Sequence, residues 1–269
     1  MLNLVKQNNK KIWIDYDDNY FGILQDNAAY DIYKHEHVQQ NIIKCCELAD
    51  VISVSTSYLK NILKSKLPFQ KDIRVIPNGF DHPRAKKQFH DQNPNIILWR
   101  GSHTHVRDIS FYANEIIKLG NDFPDWKWVF VGWNPWQLLD HFRPGQLIYQ
   151  EPIDPIQFYI CLDQIRPQIT FVPLFDSPFN RSKSNIGAIE GAYSGSAVFA
   201  PDWEEWKIPG ITHYKDKNSF YFNLKKLMEL SNEKRKELNH QIWGYIEQNL
   251  TLTKTNEARA QILKDYFEY

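Results

Sequence analysis

A chain of 269 residues has room for one large domain or two small ones, taking roughly 100–200 residues per domain. Its 42% hydrophobic, 24% charged and 14% aromatic residues are the composition of a globular protein with a packed core, which excludes long disordered tracts. Lysine plus arginine and aspartate plus glutamate number 32 each, so no global positive field draws the chain to nucleic acid or to an anionic bilayer. The longest apolar runs, WVFVGW at 128–133 and ITFVPLF at 169–175, fall far short of the ~20 residues of a membrane-spanning helix. The opening MLNLVKQNNKK has no apolar segment of signal-peptide length, and Cys45, Cys46 and Cys161 show neither a CxxC nor a zinc spacing. A reducing, cytoplasmic setting is expected, with all three thiols as small buried hydrophobes.

In chain order, KIWID (11–15) reads as a buried strand, 31–48 as a helix, VISVS (51–55) as a strand, 57–65 as a helix and 73–76 as a strand, which makes a βαβαβ unit. Pro77-Asn78-Gly79 breaks the pattern, and the polar, proline-bearing stretch 82–95 reads as a linker. The alternation restarts with strand 96–99, a helix near 107–120, strands 128–131 and 147–149, a helix near 155–164, strand 169–172, a helix near 184–194 and strand 197–200. Helices near 219–230, 232–249 and 253–269 close the chain. This order predicts an α/β protein of two Rossmann-like, parallel-sheet domains, with ligands at the carboxyl ends of the strands. The expected division is 1–82, 92–250 and a terminal helical segment over 251–269.

The densest polar constellation is FDSPFNRSKSNIGAIEG (175–191), which runs from a strand end into a helix. Lys183 and Glu190 are seven positions apart, which on a continuous helix places them on one face, either toward one ligand or toward each other. Asn180, Arg181, Ser182 and Ser184 surround the expected helix start, where free N–H groups and a lysine suit an anion such as a diphosphate. Glu190, two turns on, suits the hydroxyls of a ribose; a capped amphipathic helix with solvated charges is the alternative. A second strand end, WRGSHTHVRD (99–108), offers Gly101-Ser102 for close backbone approach to a phosphate and Arg100 and Arg107 for charge. His103, His105 and Asp108 there suit substrate contact or capping better than a metal, since their spacing is not that of zinc sites.

These two stretches, with IWIDYDDNYF (12–21), ADVISVSTSYLKNIL (49–63), IRVIPNGFD (73–81), WKWVFVG (126–132) and FVPLF…GSAVFA (171–200), resemble the GT-B-type nucleotide-sugar glycosyltransferases. The branch they resemble is the large retaining family that includes sucrose synthase and bacterial O-antigen and capsule enzymes. The likeness covers about 12–205 and keeps the order of the segments. It implies two Rossmann-like domains and a terminal helix that returns to the first. It also implies transfer from a donor such as a UDP- or GDP-sugar to an unassigned acceptor, with retention and with neither metal nor other cofactor. The residues it implies at the donor are Arg100, Gly101, Ser102, Asn180, Ser182, Ser184, Asn185 and Glu190, with Gly101 and Ser102 at the diphosphate and Glu190 at the ribose. Lys183, Arg107 and His105 fall at the chemistry, Lys183 neutralising the leaving diphosphate. His105 and Asp108 match the family's His-x-x-Asp, and Asn78-Gly79 its interdomain hinge. Glu190 takes the second acidic place of the E-x7-E motif, but the first is Ser182, so the carboxylate expected at the transferred sugar is missing. No general base is expected, because same-face attack is assisted by the leaving phosphate.

Asp15, Asp17 and Asp18 form a D-x-D-D after the first strand, readable as an acceptor-side or structural element or, alternatively, as the metal site of a single-domain glycosyltransferase or an aspartate-nucleophile phosphatase. Against the phosphatase, no threonine and no downstream motif follow. The tryptophans of 123–136, with Trp203 and Trp206, read as core or as sugar-stacking platforms. Arg84, Lys86 and Lys87 alone favour a modified nucleic acid as acceptor. The first domain starts at the family's late strand, so a shortened amino-terminal domain is predicted. A homodimer or partner chain is then expected to cover its sheet edge, and a non-catalytic donor-binding subunit is the rival function.

Overall fold

The computed structural model describes residues 2–81 and 95–267, so the expected linker up to residue 94, with its Arg84, Lys86 and Lys87, lies outside the described residues. From the amino terminus come α1 (Leu2–Gln7), β1 (Trp13–Tyr16), α2 (Tyr30–Tyr33), α3 (Glu36–Leu48), β2 (Val51–Val54), α4 (Ser57–Lys66) and β3 (Ile73–Val75). The helix expected over 31–48 is broken where His35 adopts an extended backbone and starts α3. Then follow β4 (Ile96–Arg100), α5 (Val106–Phe111), α6 (Ala113–Asp122), β5 (Lys127–Val131), α7 (Trp136–Leu139), β6 (Leu147–Gln150), α8 (Pro155–Ile165) and β7 (Ile169–Phe171). The helix expected near 107–120 divides at Tyr112, whose ring stacks on Phe220 at 4.2 Å and meets Tyr214 edge-on; core packing there overrides helical propensity. The chain ends with α9 (Pro178–Arg181), α10 (Ile186–Tyr193), β8 (Ala197–Pro201), β9 (Thr212–Tyr214), α11 (Lys217–Glu229), α12 (Asn232–Asn249) and α13 (Leu252–Phe267). No helix of the described residues is long and apolar enough to cross a membrane.

The chain forms two compact units that are not contiguous in sequence: residues 1–81, 176–184 and 248–269 make one, and 82–175 with 185–247 the other. Residues 176–184, grouped by sequence with the second domain, therefore belong to the first unit. That unit is built on a parallel sheet in the order β1-β2-β3. Its central strand, VISV, is buried at every position, as a parallel strand covered on both faces must be. Cys46, Leu59 and Leu63 of α3 and α4 pack on one side with Ile52 and Val54, while Ile262 of α13 packs with Val51 and Ile76. A Cβ on Gly79 would come within 2.9 Å of the Leu252 Cα, so glycine lets the chain pass the start of α13. Cys46 and Cys161 are buried as expected, but Cys45 is only half-buried; all three are free thiols.

The second unit carries six parallel strands in the order β6-β5-β4-β7-β8-β9. Strand order reverses between β4 and β7, the switch point at whose carboxyl side open α/β sheets bind ligands. The edge strand β9 was not legible in the sequence because it has only three residues; its Tyr214 hydroxyl donates to the Val172 carbonyl at 2.8 Å and accepts from the Leu174 N–H at 2.6 Å.

Candidate functional site

Two glycines end adjacent strands of the second unit, and sterics explain both. The Gly101 N–H donates to the Val131 carbonyl at 3.0 Å, and a Cβ on Gly101 would lie 2.5 Å from the Trp99 ring. Gly132 has a φ of +103°, and its Cβ would lie 2.5 Å from the Gly101 carbonyl oxygen. Only residues without side chains fit both turns. The bare backbone borders a cavity of about 450 Å³, within the ~300–1,000 Å³ typical of small-molecule sites. Arg100, Ser102, His103 and Glu190 supply its polar groups, and Trp133, Pro152, Ile153, Phe158 and Tyr159 its apolar wall.

Inside this cavity the Arg100 Nε donates to the Glu190 Oε2. Burial pushes the Glu190 carboxyl above its usual range, and the Arg100 guanidinium opposes that shift. Two glycines bring α10 close enough to the sheet to present Glu190. A Cβ on Gly191 would approach Val198 Cγ2 to 2.8 Å and Thr170 Cβ to 3.0 Å, and one on Gly187 would approach Val172 Cγ2 to 3.1 Å and stand 3.9 Å from Arg100 Nη2. Asn185 precedes α10 but turns its amide to the Glu205 carbonyl, 2.9 Å away, and does not line the cavity.

The His105 Nδ1 and the Asp108 Oδ2 lie 2.8 Å apart, and the Asp108 Oδ1 accepts the Phe175 N–H at 3.1 Å. An acceptor-only carboxylate, 3% exposed, makes the Nδ1–H tautomer the favoured one and leaves Nε2 as the imidazole's basic nitrogen. Asp108 thus ties the turn after β4 to the segment after β7. Arg107 is exposed, lies over the Phe175 ring at 4.8 Å and is not among the cavity-lining residues. The Ser102 hydroxyl accepts from the Thr104 N–H at 3.4 Å and bonds the Thr104 hydroxyl at 2.7 Å. Of the aromatic tract, Trp126 and Trp128 are core, as is Trp206, whereas Trp133 faces the cavity.

The 175–191 stretch divides. Lys183 precedes α10 rather than standing on it, so the shared helical face expected for Lys183 and Glu190 does not exist; Lys183 belongs to the first unit and Glu190 to the second. The Lys183 ammonium lies 3.9 Å from the Asp18 carboxylate and over the Phe179 ring at 4.5 Å. Ser182 is fully buried, donating its hydroxyl to the Pro178 carbonyl at 2.7 Å while its own carbonyl accepts from the Thr56 hydroxyl at 3.0 Å. Asn180 is buried in α9, and the Ser184 hydroxyl accepts from the Asn78 amide at 2.7 Å. Asn78 thus binds Ser184 within the first unit. The D-x-D-D carboxylates are separately engaged: Asp15 accepts from the Ser53 hydroxyl, Asp17 from the Tyr20 hydroxyl at 3.1 Å, and Asp18 faces Lys183. Among the described residues, no group of three or more His, Cys, Asp and Glu side chains is placed to hold a metal ion.

The apolar wall is what sequence reasoning missed. Gly132 carried a signal, since it follows WVFV as Gly101 follows IILWR, but Pro152, Ile153, Phe158 and Tyr159 stand in a loop and a helix without a motif.

No protein-family model matches the chain, and no curated protein matches it in sequence. Solved structures do. A sucrose-phosphate synthase from Thermosynechococcus elongatus superposes with a TM-score of 0.74 at 14% identity, over 98% of this chain and 69% of that one. TarM, known from S. aureus with UDP bound, gives 0.69 at 14% identity over 94% of this chain. The chain spans 50% of TarM's length. The pneumococcal O-GlcNAc transferase GtfA, solved with UDP and GlcNAc, gives 0.66 at 12% identity, over 98% of this chain and 54% of that one. The fold is therefore the GT-B fold of Rossmann-like α/β units, as the sequence resemblance implies.

Proposed function

We propose that the chain is a nucleotide-sugar glycosyltransferase whose second unit binds the donor. The observation that carries this reading is the 450 Å³ cavity at the carboxyl ends of β4 and β5, where bare glycine backbone, a cation, a carboxylate and an aromatic wall converge. Each matches one part of a nucleoside diphosphate sugar. Backbone at Gly101 and Gly132 admits the diphosphate closely, Arg100 supplies charge that remains fixed as the leaving group gains electrons, and Glu190 accepts from ribose hydroxyls. Trp133, Phe158 and Tyr159 offer ring faces and apolar contact to the base. His105, held by Asp108, is the remaining polar group of the second unit proposed at the chemistry, which proceeds with retention and without metal or cofactor. UDP bound to TarM and to GtfA supports the donor class.

Calorimetry with UDP, GDP, ADP and their glucose conjugates tests this. Binding by at least one, weakened by Arg100→Met and Glu190→Ala, is the expected result; no binding by any overturns it.

One observation favours a second reading. Ser182, where the family motif has an acid, is buried with its hydroxyl donated to the Pro178 carbonyl, so it supplies no carboxylate for a transferred sugar. The chain would then be a donor-binding subunit acting with a partner, a role that turnover by the purified single chain would exclude.

A further inference from the structure

We propose that a tyrosine-lined cavity of the first unit, separate from the donor site, binds the neutral terminal sugar ring of a glycan acceptor; this rests on the glycosyltransferase reading and adds the acceptor's class. The cavity measures about 170 Å³ and is lined by Tyr20, Tyr30 and Tyr33 with Phe21, Lys34 and Gln39 among its neighbours. That volume lies below the ~300–1,000 Å³ of sites for drug-sized ligands, so it admits one small ring and excludes a nucleotide.

Its chemistry selects a polyhydroxylated ring. Tyr20 and Tyr33 stack at 4.8 Å, forming a rigid aromatic body with polar tips. The hydroxyls of Tyr30 and Tyr33 have no hydrogen-bond partner among the described residues, and each can donate and accept. The Gln39 Nε2 donates to the Tyr33 carbonyl at 3.1 Å, which fixes the amide and leaves its oxygen to accept from a ligand hydroxyl. Charge argues for a neutral guest. The Lys34 ammonium is already 2.5 Å from the Asp31 carboxylate, and the Tyr20 hydroxyl already donates to Asp17 at 3.1 Å. A neutral ring has only to satisfy the open phenols and the amide and asks neither of these charged groups to change its surroundings. The Tyr20–Asp17 bond also joins the cavity to the loop at the carboxyl end of β1, the side of a parallel sheet on which ligands are bound.

Saturation-transfer NMR on the full chain, with glucose, galactose, N-acetylglucosamine, glucuronate and UMP as probes, tests the assignment. At least one neutral sugar is expected to bind at millimolar concentration, to persist when UDP is saturating, and to weaken about tenfold in Gln39→Ala and in Tyr33→Phe, each of which removes one hydrogen-bonding group. Tyr33→Phe keeps the ring stack and so separates binding from folding. Binding by none of the neutral sugars, binding unchanged in both variants, or preference for glucuronate or UMP overturns the proposal. Sugar binding without nucleotide binding overturns the donor reading alone; nucleotide binding without sugar binding overturns this one alone.

Discussion

Replacing Gly132 by alanine tests whether the turn after β5 is glycine because backbone must be bare there. Two costs apply. A φ of +103° is disfavoured for any residue with a Cβ, at about 1–2 kcal/mol. The new Cβ also meets the Gly101 carbonyl oxygen at 2.5 Å, and because that atom is backbone it cannot swing away; such overpacking costs about 1–3 kcal/mol. Gly145 is the internal control, since its φ of +77° carries the first cost while nothing lies within 4 Å of its would-be Cβ. Gly132→Ala should therefore be less stable than Gly145→Ala by about 1–3 kcal/mol, roughly 2–12 °C in Tm at about 2–4 °C per kcal/mol for a domain of this size. Thermal and urea unfolding followed by circular dichroism measure the difference, and nucleotide titration should show affinity lost in Gly132→Ala and retained in Gly145→Ala. Equal unfolding midpoints for the two variants would refute the close-approach argument.

Three further outcomes follow from the same geometry. Asp108→Asn leaves one side-chain acceptor for two donors, the Phe175 N–H and the His105 ring, so stability should fall by about 1–3 kcal/mol and ¹⁵N chemical shifts should show His105 losing its Nδ1–H preference. Gly191→Ala puts a methyl 2.8 Å from Val198 Cγ2 and 3.0 Å from Thr170 Cβ, and should cost about 1–3 kcal/mol in urea unfolding without altering the cavity wall. Lys183→Ala removes a 3.9 Å pair to a partly exposed Asp18 and the cation–π contact with Phe179, so stability should fall by about 0–2 kcal/mol, and a large loss of transfer in that variant would mark a role beyond structure.

The fold was legible where pattern and length agree. VISV, IILW and WVFV are runs of strand length, apolar except for Ser53, and each became a largely buried parallel strand. The helix break at Tyr112 was not legible, because its cause is a ring stacked on Phe220, more than a hundred positions away in sequence. Arg100, Gly101 and Glu190, singled out in the sequence at a strand end and in a helix, line one cavity in the structure. Pairing Lys183 with Glu190 failed for a local reason as well: Ser177 and Pro178 start a separate short helix, α9, by capping, and α10 begins only at Ile186, so helical spacing does not run through Lys183. The tyrosine cavity left no motif, because Tyr20, Tyr30 and Tyr33 come from a turn and a four-residue helix with no periodicity to read.

The charge balance of the proposed donor cavity leads to a last expectation. Among its lining residues, one cation, Arg100, and one carboxylate, Glu190, already neutralise each other, while burial holds the Glu190 carboxyl above its usual range. A nucleoside diphosphate brings at least two negative charges, and each raises the free energy of a carboxylate left nearby. If Arg100 turns to the phosphate, Glu190 loses the partner that opposes its shift, and its pKa rises further. Nucleotide binding should then take up a proton in the window between the free and bound pKa values of Glu190. By linkage, affinity should rise as pH falls through that window and level off below the free-state value. Calorimetry of nucleotide binding in buffers of different ionisation enthalpy counts the protons directly, and Glu190→Gln, which has no proton to gain, should abolish the uptake. Proton uptake that persists in Glu190→Gln would assign it elsewhere. No uptake in the wild type would mean that Arg100 stays with Glu190 and that backbone amides alone carry the diphosphate.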